Sequence, residues 1–161
     1  MNYTYKIRAH HGLCLYYFKG KGYSEEFVRN MTKIKKELEK NPLVLITDRA
    51  DDVCTACPNR TGSVPGSYPD TGAVNDSCKN CADTASASYS KHTVSNYTEG
   101  LCVTEEKVAE YDKQVLARCN ISPGDIMPFS EFEQLVQENI LTPGKRKEVC
   151  GNCQWDALCI R

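Results

Sequence analysis

The chain has 161 residues and a formal net charge of −1, with 40 % hydrophobic and 25 % charged residues. Length allows one domain with a modest core, and a charge so near zero makes no electrostatic case for nucleic acid or an anionic membrane as partner. The composition is that of an ordinary globular protein except in one respect, its ten cysteines.

Near the N-terminus Tyr3, Tyr5 and Ile7 alternate with polar residues, which predicts a short strand. The run AHHGLCLYYF from Ala9 reads as a short helix or turn closed by Gly20 and Gly22. Ser24 is suited to cap a helix that carries Glu25 and Glu26 at its positive end. Phe27, Met31, Ile34 and Leu38 give that helix one apolar face, and Asn41-Pro42 stops it. Leu43 to Thr47 is a short apolar, β-branched run and predicts a second strand. Asp51 and Asp52 follow in what reads as a turn leading to Cys54.

Residues 61–99 are rich in Ser, Thr, Gly, Asn, Asp and Ala and read as a long loop inserted in the domain. Beyond it, Thr104 can cap a helix with Val108, Tyr111 and Val115 on one face. Cys119 continues that face and reads as a buried structural thiol. Ser130 and Glu133 have capping-box spacing, and Thr142-Pro143 looks like a further helix start. Lys145, Arg146 and Lys147 read as a solvated helix face, and Trp155 as a packing lid over the C-terminal turn.

Ten cysteines imply disulfides, metal ligands or redox chemistry. The sequence MNYTYKIRAHHGLC lacks a basic start followed by an apolar run, and no stretch approaches the length of a transmembrane helix. A cytoplasmic location is therefore expected, where thiols stay reduced and ligation outranks disulfides.

Three CxxC pairs are present, Cys54/Cys57, Cys78/Cys81 and Cys150/Cys153. Two intervening residues let one tight turn aim both sulfurs at one ion. CTAC and CKNC stand at zinc-type spacing, which would suit a closed tetrahedral site. Against this, Cys150, Cys153 and Cys159 crowd around Trp155, Cys57 precedes Pro58, and Cys54, Cys57 and Cys102 form a second group of three. Those features favour iron–sulfur. Cys14 sits on HHGLC, where a helix would put His10 or His11 on its face. The spacing of bacterial ferredoxins is absent, as are Walker, GxGxxG, HExxH and GxSxG motifs.

The segments IRAHHGLCLYYFKGKGYSEEFVRNM, DDVCTACPN, LCVTEEKVAEYDKQVL and VCGNCQWDALC carry a resemblance to the prokaryotic domain-of-unknown-function family 1284, a group of small cysteine-rich proteins. The resemblance implies iron–sulfur binding and carries Cys14, Cys54, Cys57, Cys102, Cys150, Cys153 and Cys159 as cofactor ligands. His10, His11, Cys78 and Cys81 are further candidate metal ligands, the last two inside the 61–99 segment, where the family pattern has a shorter link.

The expectation is a small, mainly helical α+β domain spanning 1–161, with a short two-stranded sheet and long metal-anchored loops. Its expected cofactor is an iron–sulfur cluster of the [4Fe–4S] kind, for electron transfer, redox sensing or cluster-based small-molecule chemistry. The alternative is a zinc-stapled interaction module. A redox partner protein or a small-molecule substrate is the expected partner; nucleic acid and membrane are not.

Overall fold

The computed structural model describes residues 2–60 and 102–159. The expected loop at 61–99, with Cys78 and Cys81, lies outside the described residues.

Strand β1 (Tyr5–Arg8) pairs in parallel with β2 (Leu43–Thr47), Ile7 opposite Ile46 and Arg8 opposite Thr47. Parallel neighbours need a long crossover. The chain supplies it as two helices, α1 (His11–Tyr17) and α2 (Glu25–Leu38). A third strand, β3 (Ile126–Pro128), adds antiparallel to the other edge of β2. Among the described residues the sheet thus has three strands where two were expected. β3 is three residues long and ends on proline, so it carries almost no periodic signal.

α2 forms as its pattern requires. The Ser24 hydroxyl accepts the Phe27 N–H at 3.1 Å, and Phe27, Met31, Ile34 and Leu38 are buried. Asn41 then takes a left-handed backbone (φ 55°), and Pro42 prevents continuation. Helix α3 (Glu105–Cys119) buries Tyr111, Asp112, Val115 and Cys119 and ends on left-handed Asn120.

Helix α4 (Phe129–Val136) passes into one wide turn over Gln137–Leu141, followed by α5 (Arg146–Cys150) and a single 3-10 turn, Asp156–Leu158. Two expected helix starts are displaced. α4 begins at Phe129, before the Ser130–Glu133 box, because the Ser130 N–H is taken by Asn41 Oδ1 at 2.8 Å. Thr142 closes the wide turn by donating its N–H to Gln137 O, so Thr142-Pro143 ends a helix instead of opening one.

α1 lies close against α4 at Gly12. A Cβ there would sit 2.8 Å from the Phe132 ring, so only glycine allows this approach. The result is a helix-rich α+β protein whose described core runs from Ile7, Val44 and Ile46 in the sheet to Phe132, Val136 and Ile140.

Candidate metal centre

Because β1 and β2 are parallel, their C-terminal ends emerge at the same edge of the sheet. β1 delivers His10, His11 and Cys14 there, and β2 delivers the DDVCTAC segment. The Ala9 N–H extends the pairing to Thr47 O at 2.9 Å. Side by side, these two exits form one wall of a cavity of about 380 Å³.

The cavity gathers all seven cysteines of the family-like set: Cys14, Cys54, Cys57, Cys102, Cys150, Cys153 and Cys159. His10 and His11 line it as well. The seven come from four separate places in the chain. Cys14 is on α1 and Cys54 in the 3-10 turn Val53–Ala56, with Cys57 just beyond it. Cys102 is held against that turn by an isolated bridge to Arg60 and by the Val103 N–H donating to Asn59 O at 2.8 Å. Cys150, Cys153 and Cys159 follow on α5 and three successive turns, closed by Cys153 N–H to Cys150 O, Asp156 N–H to Cys153 O and Cys159 N–H to Asp156 O. Among the described residues every cysteine is a free thiol. The eighth, Cys119, is buried in the core away from this cavity, as its apolar spacing predicted.

Burial pushes the Cys14 thiol well above its ordinary range, and the neighbouring Cys150, Cys153 and Cys159 push it further. Cys150 is raised to about 11, first by burial and then by Cys153 and Cys159, with the Arg146 guanidinium pulling the other way. Burial raises Cys57, and Cys102 adds to the effect. Cys54 is raised by burial and by the charge of Asp51. Packed thiols in a desolvated space hold their protons until a cation arrives to stabilise the thiolates.

Both histidines are held by carboxylates. His11 Nδ1 is 2.7 Å from Asp51 Oδ2, and His10 Nδ1 is 2.7 Å from Asp112 Oδ1. The two rings lie 4.4 Å apart. A carboxylate that fixes one ring nitrogen leaves the other, Nε2, as the nitrogen with a free lone pair, the arrangement common behind metal-bound histidine. Burial and the neighbouring His11 lower the pKa of His10, against the opposing pull of Asp112.

Asp51 is more than the turn residue its position suggested. It is buried, and its carboxylate accepts the Arg8 N–H at 2.6 Å, the Cys54 N–H at 3.0 Å and the His11 ring. Burial works against its ionised form, but these donors and His11 hold its pKa down at about 2. Asp112 accepts the His10 N–H and Arg8 Nε, and the rest of the Arg8 guanidinium binds Glu105 through two hydrogen bonds.

Sequence reading missed Asp51, Asp112, Arg8 and Arg146. A signal existed for Asp112, which continues the Val108 spacing onto the apolar face of α3, where a carboxylate needs a partner. Arg146 was expected in solvent but is 6 % exposed, ion-paired to Asp156 at 2.6 Å and part of the cavity wall. Trp155 packs edge-on to Tyr23 at 5.0 Å between ring centres, and both rings border the cavity.

Fold and site together define a small helix-rich α+β protein with a thiol-lined cavity. The chain belongs to the family described as a protein of unknown function, DUF1284, which it matches over residues 22–159. The matched span contains six of the seven cavity cysteines and begins beyond α1, so His10, His11 and Cys14 precede it. No curated protein and no solved structure matches the chain. No helix among the described residues is long and apolar enough to cross a membrane.

Proposed function

We propose that this protein is a cytoplasmic iron–sulfur protein, binding a cluster of the [4Fe–4S] kind for electron transfer, redox sensing or cluster-based chemistry on a small molecule. One observation carries the reading: seven free thiols line a single cavity of about 380 Å³. A structural zinc ion draws four thiolates in to about 2.3 Å and leaves no chamber between them. The cavity here is about 380 Å³ in volume. Its thiol count and size suit an inorganic cluster better than one tetrahedral ion.

The protein's own groups support such a centre. The thiols are half-buried, and the guanidinium of Arg146 sits beside Cys150, where it favours the thiolate. Tyr111, raised to about 12 by burial and by Cys153, Cys150 and Cys14, stays a neutral donor and hydrogen-bonds Asn152 Oδ1 at 2.5 Å. An iron–sulfur cluster bound here would supply one-electron transfer, at a potential set by burial and by hydrogen bonds to its sulfurs.

The test is metal and acid-labile sulfide analysis of anaerobically purified protein, read with its visible spectrum. Iron, sulfide and a brown colour are expected. Zinc alone in a colourless, folded sample would sink the proposal and leave the zinc-stapled interaction module.

A further inference from the structure

We infer that the seven thiols serve two separate centres: Cys14, Cys150, Cys153 and Cys159 hold one, and Cys54, Cys57 and Cys102 with the His11 imidazole hold the other. The inference rests on the iron–sulfur reading of the cavity and divides that cavity in a way the reading alone does not.

The division follows from how the backbone delivers the sulfurs. Cys150, Cys153 and Cys159 stand on consecutive turns of one short segment. Cys14 lines the same cavity as these three. Four thiols from two segments make a complete set for one cluster. The Cys57 N–H donates to Cys54 O at 3.1 Å, which puts both thiols on one tight turn. The bridge between Arg60 and Cys102 adds the third. This second set lacks a fourth thiol among the described residues, and Cys14 is already placed with the first.

His11 completes it. One ring nitrogen of His11, one carboxylate oxygen of Asp51 and the Cys54 sulfur all lie within 4.8 Å of one another. Asp51 holds this set in place: its Oδ2 accepts the Arg8 N–H and meets the His11 ring, and its Oδ1 accepts the Cys54 N–H. An ionised carboxylate only accepts, so His11 Nδ1 carries the proton and Nε2 carries the lone pair. Asp51 is thus a positioning residue. It fixes the ring and, through the Cys54 N–H, the turn that presents the second ligand. Replacing a thiolate by a neutral imidazole removes negative charge from a centre and raises its reduction potential. The two centres should therefore reduce at different potentials, each taking one electron from an added reductant.

The experiment uses the full chain, reconstituted anaerobically with ferrous iron and sulfide, then titrated with dithionite and followed by electron paramagnetic resonance. Two reduction steps are expected. Cys57→Ser with Cys102→Ser should remove the higher-potential step with its share of the iron, and Cys150→Ser with Cys153→Ser the lower. His11→Cys keeps every thiol and should lower the potential of the first step while leaving the second in place. Asp51→Asn should change the signal of that same step and no other. If either double variant loses all iron, or wild type shows one step, the two-centre division fails while the iron–sulfur reading stands. If His11→Cys moves neither step, His11 is not a ligand and the assignment of the second centre fails. If only zinc binds, the iron–sulfur reading fails. Two zinc ions, reduced to one in each double variant, would still support the division, and one zinc ion would overturn it.

Discussion

The Arg8 guanidinium is 1 % exposed, and its charge is met by Asp112 through Nε at 2.5 Å and by Glu105 through a two-pronged contact at 2.6 and 3.1 Å. A buried ion pair is expensive to break from one side, because the surviving charge stays buried without a partner. Arg8→Met should therefore cost about 3–5 kcal/mol in urea unfolding. Arg8→Lys should lose less, since it keeps the charge and gives up the planar fork. The same cluster sets an acid limit. Burial alone would raise Asp112, but the His10 hydrogen bond and the charges of His10 and Arg8 hold it below its ordinary 3.8. Glu105 likewise falls below 4.5 because its contact with Arg8 outweighs partial burial. A carboxylate with a depressed folded pKa stabilises the fold above its unfolded value, and that contribution fades as pH falls through the folded value. The urea midpoint should start to drop as pH passes below about 4.5, and Arg8→Met should flatten the decline. An equal slope in that variant would show that other groups set the acid limit. At this scale cysteine was legible, because its spacing is chemistry that a sequence prints directly. Asp51, Asp112 and Arg8 were not, because, apart from the Cys54 N–H on Asp51, the partners that define them lie 40 or more residues away in sequence.

Elements decide whether those side chains meet. α1 is a seven-residue helix that carries both His11 and Cys14, and it reaches its place only because Gly12 lets it rest against Phe132. Gly12→Ala should push α1 off α4, costing about 1–3 kcal/mol as an overpacked contact, and should weaken metal retention. Adding Phe132→Leu should recover part of both losses. If stability falls while the metal content is unchanged, α1 does not depend on this contact for its placement. Ser24→Ala is the contrasting case. It removes the cap of α2 and should cost about 1 kcal/mol without altering metal content, since Ser24 does not line the cavity. Helix α2 was readable because cap, apolar period and stop agree within the segment; α3 was readable from its apolar period and its stop, while the Thr104 side chain makes no cap hydrogen bond and meets Cys102 Sγ at 3.2 Å instead. β3 and the true start of α4 were not, since they depend on contacts with the 41–45 stretch, which the Phe129 N–H meets at Pro42 O.

At the scale of the whole molecule, the cavity draws its thiols from four segments of the chain. α1, the 3-10 turn at Cys54, the Cys102 bridge and the segment after α5 each contribute thiols. The last of these runs through single turns, with no buried residue in Asp156–Leu158. Such a segment has little apolar burial to order it, so ligation by Cys150, Cys153 and Cys159 is what would fix it. Metal-binding free energy is then folding free energy for that part of the chain. Anaerobic chelation should loosen the C-terminal turns first and leave the sheet and α2, whose cores are apolar, in place. Hydrogen exchange can see this directly. Amides of residues 151–159 should lose protection on chelation, whereas those of β2 should keep it. The lone tryptophan offers a second readout, because Trp155 borders the cavity beside Tyr23. A bound iron–sulfur centre absorbs across the near-ultraviolet and visible and should quench the indole, so chelation should raise its emission. Uniform loss of protection across the sheet would mean that the metal holds the entire fold, and unchanged protection at 151–159 would mean that the C-terminal turns are held by something other than their thiols.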